Sequence, residues 1–458
     1  MSSGPDGNPM THLLNTIRSP FRRKRPHPAK RAPSEPTSRG WFWLQVTGAL
    51  ALLLGVFFWF TSASILQQPI HMDYGPADPA FASALGPTVG AEFTAGNAIT
   101  TLVNGDAFFP AMLEAIRRAK KTVTLETYIW ASGRVSDDFI AALGERARNG
   151  VKVHVLLDGM GTLKFKGEDR ARLEQSGVQV MKYGREHWYQ IKPNINHRTH
   201  RKLLIIDGRI GFTGGMCIDD SWLGDAKSEK TWRETQLRVE GPVVRQMQAV
   251  FATNWMQTTG TLLLGEDYYP VPERAAASLA QCFMSGPSER PEAVRVAHVL
   301  AIAAARKTID IANAYFVPDN LAIEMLLDAR SRGVRVRVIV PAINDSKIGR
   351  AASRSRWGKL MAAGVEFHQY QPAMFHVKSM VVDGMLVTVG SANFDNRSFA
   401  INDEVTLNVL DRAVGAENLR IFEADLKMSV PLTREEFEGR PLYNRIFDHI
   451  CGVLRSQL

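Results

Sequence analysis

The stretch "THRKLLIIDGRIGFTGGMC", residues 199–217, sets His200 and Lys202 two apart and Asp207 five further on. "FHVKSMVVDGMLVTVGSAN", residues 375–393, repeats the same types at the same spacing as His376, Lys378 and Asp383. These side chains suit phosphate chemistry. Lysine is a point charge for non-bridging oxygens, and histidine is a nucleophile or a general acid–base near neutral pH. Splitting a phosphodiester by a covalent route needs a nucleophile on one side of phosphorus and a proton donor on the other. One copy supplies one histidine; two copies facing each other across a pseudo-two-fold axis would supply both.

Each Asp-Gly dipeptide, 207–208 and 383–384, favours a two-residue hairpin turn. Strand alternation then points His200 and Lys202 the same way. Pairing about the turn predicts His200 opposite Gly215 and Lys202 opposite Thr213, with His376 opposite Ser391 and Lys378 opposite Val389. Small residues opposite each histidine would leave room for substrate. Five residues of strand put Asp207 ~16 Å from Lys202, too far to share a phosphate. Asp207 and Asp383 are therefore expected to shape and cap their turns. A working histidine also needs an acceptor on its other ring nitrogen. Glu234 in "WRETQLRV" and Glu404 in "NDEVTLNV" each open a strand-like run, and each is expected to return beside its own hairpin.

The elements that must hold these groups also recur. "AIRRAKKTVTLETYIW" (115–130) parallels "AIAAARKTIDIANAYF" (301–316), and "ARNGVKVHVLLDG" (147–159) parallels "SRGVRVRVIVPA" (331–342). Helices alternating with β-branched strands predict an α/β fold whose central strands are covered on both faces. The repeat predicts two homologous halves, 96–262 and 280–430, joined by a Pro-containing connection at 263–279. Residues 67–95 read as a linker or wrapping segment. Residues 431–458 form a helical C-terminal segment in which Leu442, Ile446, Ile450 and Val453 or Leu454 recur at helical spacing. That helix is expected to pack on the body rather than lie on a membrane.

The chain of 458 residues carries a net charge of +9, of which the first 40 residues hold +6. The remaining +3 leaves a mildly basic body, which argues against a nucleic-acid partner. The basic, Pro- and Ser-rich tail 1–40 is expected to be disordered and drawn to anionic lipid headgroups. Behind it, residues 41–66 contain no charged residue. As a helix they would span ~39 Å, enough to cross a ~30 Å hydrocarbon core. The run exceeds a usual signal-peptide h-region, so it is read as a single transmembrane anchor. The positive-inside rule then leaves the tail in the cytoplasm and the remainder on the outer side. Three cysteines make no disulfide framework.

The paired motifs resemble the duplicated H-x-K-x4-D-x6-G-[SG]-x-N pattern of the phospholipase D superfamily. The likeness is closer to bacterial cardiolipin synthases, and it extends over about residues 98–430 through "LVNGDAFFPAMLEAIRRAKKTVTLETYIW" and "RVEGPVVRQMQAVFATNW". The resemblance implies two phospholipase D-like halves with a shared site in a bacterial inner-membrane enzyme needing neither metal nor cofactor. It implies His200, Lys202, Asp207, His376, Lys378 and Asp383 as the catalytic motif set, with Ser391 and Asn393 beside the phosphate. It further implies a phosphohistidine, with His200 as nucleophile, and phosphatidylglycerol as both donor and acceptor. A phospholipase D-type hydrolase acting on phospholipid or nucleic acid is the alternative, and an inactive lipid-binding scaffold is a third. The pattern departs at Cys217, which stands where asparagine is expected; a thiol is a much weaker donor than an amide. Two further stretches, "HWYQIKP" (187–193) and the helical face of Lys347, Arg350 and Arg354, could meet lipid.

Overall fold

Strands rich in apolar and β-branched residues, such as Thr122–Thr127 and Arg335–Pro341, are buried almost throughout, as covered central strands must be. The structure is a computed structural model that describes residues 40–50, 66–184 and 197–453. The basic tail to residue 39, residues 51–65 of the expected anchor, the aromatic stretch 187–193 and Leu454 lie outside the described residues. Residues 40–50 are helical, and among the described residues no helix is long and apolar enough to cross a membrane. The chain divides into residues 1–60 and 61–458, and the second unit carries the repeats.

That unit is built on one fifteen-stranded sheet among the described residues. From the centre outward, one side runs Thr94–Val103, Thr235–Glu240, Ile210–Gly214, Leu203–Ile206, Thr122–Thr127, Lys152–Asp158, Gln179–Tyr183. The other runs Ser278–Ser285, Glu404–Leu410, Leu386–Gly390, Lys378–Val382, Thr308–Asn313, Arg335–Pro341, Glu366–Tyr370, with Ser429–Leu432 added at the edge. The two orders correspond strand for strand. The innermost strands pair antiparallel, Thr94 with Ala280 and Ala95 with Leu279, which joins the halves about a pseudo-two-fold axis. Outer strands are parallel and linked through helices, as βαβ geometry requires; inner strands are antiparallel hairpins.

An apolar core common to both halves fixes their spacing. Phe251 and Trp255 of the helix Val244–Thr259 pack in one cluster with Leu203 and Val239 of the first half and Val389 and Leu407 of the second. Each half also has its own core beneath its outer helices.

The hairpins differ from the sequence expectation by one residue. Asp207 and Gly208 (φ 53° and 62°) and Asp383 and Gly384 (φ 53° and 61°) do form the turns, in the left-handed region that Asp-Gly tolerates best. Arg209 N–H closes the first turn on Ile206 O at 2.9 Å, but strand pairing resumes only at Ile206–Ile210. Arg209, and Met385 in the second copy, are thus extra residues on one strand. The register becomes Leu203 opposite Thr213 and Ser379 opposite Val389, so the expected partners of His200 and His376 are displaced as well.

Residues 67–95 are a strap rather than a free linker. Pro79–Val89 is a helix, started by the Asp78 side chain and ended at Gly90 (φ 74°), whose Phe81, Leu85 and Val89 pack into the second half's core. Arg295 and Arg306 donate to Leu66 O and Met72 O, both at 2.6 Å. At the other end, the helix Leu442–Val453 packs on Lys347–Ala362, but through the face opposite to the apolar stripe. It turns Asp448, Cys451 and Gly452 inward. A β-carbon on Gly452 would meet Ser355 Oγ at 2.6 Å, so the missing side chain sets this close approach.

Candidate active site

Backbone hydrogen bonds tie each histidine to the opposite half. The N–H of His200 donates to Asp403 O, and the N–H of His376 donates to Arg233 O, both at 2.9 Å. Short parallel pairings extend these contacts, Thr199 with Asp403 and Met374–Phe375 with Trp232–Arg233. Asp403 and Arg233 directly precede Glu404 and Glu234. Each glutamate is therefore delivered to the other half's histidine: Glu404 lies 3.0 Å from His200 Nδ1, and Glu234 lies 2.7 Å from His376 Nδ1. Each glutamate does return beside its own hairpin, Glu404 next to Ser391 and Glu234 next to Gly215, but its carboxylate meets the histidine of the other half rather than its own. The zipped segments bring the opposite histidine to a carboxylate that the neighbouring hairpin strand also lines.

Both glutamates are fully buried and both histidines nearly so. Lys202 and Lys378 are buried beside them, each Nζ donating to the carbonyl of its own histidine at 2.6 Å. Lys378 Nζ also lies 3.1 Å from His376 Nδ1. Aromatic rings that sequence reasoning missed wall the two sites. Tyr128 stands edge-on to His200 at 5.0 Å and under Lys202 Nζ at 5.3 Å; Trp222 and Trp232 flank His376 at 5.3 and 4.9 Å. Trp232 sits two residues before Glu234, a nearness that the sequence displays without indicating its use.

The remaining motif residues divide. Ser391 donates its hydroxyl to Glu404 at 2.5 Å, so it orients the carboxylate behind His200. Its counterpart is Gly215, where a β-carbon would fall 2.3 Å from Glu234 Oε2. Glu234 instead accepts from its neighbour's backbone, Thr235 N–H, at 2.9 Å. Asn393 is buried with Oδ1 unpartnered. Cys217 is 1% exposed and lies in the apolar core with Phe212 and Trp222. Asp207 and Asp383 stand apart from the His-Lys pairs. Asp207 accepts from the backbone N–H groups of Lys120, Lys121 and Thr122 (2.9, 2.7 and 2.9 Å), and Asp383 from Arg306, Lys307 and Thr308 (2.9, 2.7 and 2.9 Å). The strand Thr122–Thr127 separates that clamp from Tyr128 and His200 by ~20 Å. Their inclusion in the catalytic set is thereby corrected: they pin each hairpin turn to the start of the adjacent strand.

Crowding four basic groups with two carboxylates in a buried site moves their proton affinities. Burial pulls His200 down to about 4, against the attraction of Glu404. Burial, then Lys378, Lys202 and His200, hold His376 well below the usual histidine range. Burial brings Lys378 down to about 8 despite Glu234. The carboxylates part company. Burial lifts Glu234 to about 7, only partly countered by Lys378; for Glu404 burial is outweighed by His200, Lys202 and Ser391, which take it to about 2. The groups of the two motifs act on one another, as members of one shared site.

The two halves also match known proteins. A family model described as cardiolipin synthase, phospholipase D-like domain, matches residues 112–255 and 299–426, one segment in each half. Cardiolipin synthase 1 of Bacillus anthracis is 32% identical over 365 residues, covering 78% of this chain and 72% of that protein. The cardiolipin synthase of Oceanobacillus iheyensis is 35% identical over 367 residues, covering 80% and 76%. Among solved structures, a phosphatidylserine synthase of Haemophilus influenzae superposes with TM-score 0.62 at 15% identity, over 83% of this chain and 100% of that one, which speaks to the fold. With both segments matched and relatives above 30% identity along most of their length, the chain belongs to the cardiolipin synthase family with phospholipase D-like domains.

Proposed function

We propose that the protein joins two phosphatidylglycerol molecules into cardiolipin and glycerol through a phosphohistidine, with His200 as nucleophile. The observation that carries this reading is the crossed pairing of the two histidines, His200 with Glu404 and His376 with Glu234, each glutamate coming from the other half. Glu404 stays ionised and holds Nδ1–H of His200, leaving the Nε2 lone pair free to attack phosphorus. Glu234 retains a proton near neutrality, so its pair with His376 can give one to the leaving glycerol oxygen. The same pair then takes a proton from the incoming phosphatidylglycerol hydroxyl, whose oxygen attacks the phosphohistidine and frees His200. Lys202 and Lys378 offset the charge on the non-bridging oxygens. Ionised Glu404 offsets the positive charge that grows on His200 as the P–N bond forms. Residues 41–66 would anchor the enzyme in the inner membrane, with the basic tail on cytoplasmic anionic headgroups and the catalytic unit outside.

Purified protein given phosphatidylglycerol vesicles tests the reaction. Cardiolipin with glycerol is the expected outcome; phosphatidic acid with glycerol would mean that water is the acceptor and the protein a hydrolase. Protease added outside spheroplasts should digest the catalytic unit if the topology is right.

A further inference from the structure

The C-terminal helix presents six large apolar side chains to solvent: Leu442, Tyr443, Ile446, Phe447, Ile450 and Val453 are 47–75% exposed. The helix beneath it, Lys347–Ala362, carries Lys347, Arg350, Arg354, Arg356 and Lys359 and no acidic residue. Where the two helices meet, Arg350, Arg354 and Arg440 gather around one carboxylate, Asp448, which is already paired with Arg440 at 2.6 Å. Arg350 Nε is buried without a hydrogen-bond partner. Burial, and for Arg354 repulsion from Arg350 and Arg440, lower both guanidinium pKa values, Arg354 to about 10. Uncompensated positive charge under an apolar ridge is the pattern of a surface that meets acyl chains and phosphates together.

The chain crosses Lys347–Ala362 in the opposite direction: Phe437, in the short helix Arg434–Glu438 that precedes the C-terminal one, rests against Trp357 and Gly358, whereas Cys451 and Gly452 rest against Ala351, Ala352 and Ser355. The C-terminal end thus covers the first turns of Lys347–Ala362. Tyr315 packs on Gly349 there and donates to Asp345.

We propose that this helix is an interfacial anchor, its apolar face sunk into a lipid leaflet while Arg350 and Arg354 bind the phosphates of anionic headgroups. The full chain, spin-labelled at I450C, tests this in vesicles of phosphatidylcholine with or without phosphatidylglycerol; the three native cysteines are buried. With phosphatidylglycerol the label should gain collisions with oxygen and lose those with a water-soluble nickel chelate. The pair R350Q and R354Q should return both to their aqueous values, with unchanged circular dichroism. A label that stays aqueous in every vesicle overturns the proposal. So does equal immersion without phosphatidylglycerol or in the double variant, or spin–spin broadening that vanishes on dilution with unlabelled chain. The readout needs no turnover, so its failure is separable from failure of the proposed reaction.

Discussion

The Nδ1 of His200 lies 3.0 Å from both carboxylate oxygens of Glu404, a residue of the other half of the molecule. The mirror contact joins His376 to Glu234. Neither half alone holds a complete histidine–carboxylate pair, so duplication here builds one site from two incomplete ones.

Removing the charge from Glu404 while keeping its shape isolates its role. Glu404→Gln is expected to lower kcat about 10- to 100-fold, the usual cost of losing a carboxylate behind a working histidine. Glycerol release from phosphatidylglycerol in mixed micelles measures it. A variant with full kcat would remove Glu404 from the mechanism.

Glu234 predicts a pH limb. Burial raises its pKa to about 7, so the proton is present below that pH and lost above it. In the proposed reaction kcat/KM therefore falls about tenfold per pH unit above about 7. Glu234→Gln cannot lose that proton and should flatten the limb, although from a lower rate. A limb that persists in the variant would assign the titration elsewhere.

Asp207 and Asp383 should act on stability. Asp207→Ala strips three backbone N–H groups of their acceptor and is expected to cost about 1–3 kcal/mol, read from urea unfolding. The kcat of the folded fraction should stay within a few-fold of wild type. A loss of ~100-fold at unchanged stability, of the size general acid–base residues supply, would return the aspartate to the chemistry.

Gly215 and Ser391 occupy equivalent places with opposite tolerances. Gly215→Ala drives a methyl to 2.3 Å from Glu234 Oε2, and should cut kcat at least about 10-fold by displacing the carboxylate from His376. Ser391→Gly deletes one donor to Glu404 and should cost only about 1 kcal/mol of transition-state stabilisation, or several-fold in kcat. Parallel kcat measurements on the two variants test the contrast.

Much of this was legible in the sequence alone. Local pattern carries a hairpin, a βαβ unit and a repeat, because each depends on residues a few positions apart. The one-residue slip at Arg209 and Met385 was not, since an Asp-Gly turn admits either loop length and the sheet beyond selects one. The apolar stripe of the C-terminal helix has the expected periodicity but faces solvent instead of the body. Helical spacing shows that apolar residues share a side, while Gly452 and the Arg440–Asp448 pair decide which side meets the protein.

The sequence by itself determined the two His-Lys pairs, their duplication and the structural place of the aspartates, all through spacing along single strands. Only the tertiary structure decided which glutamate serves which histidine. Those contacts are made by backbone pairing between segments more than 140 residues apart, and such pairing leaves no periodic trace in the chain.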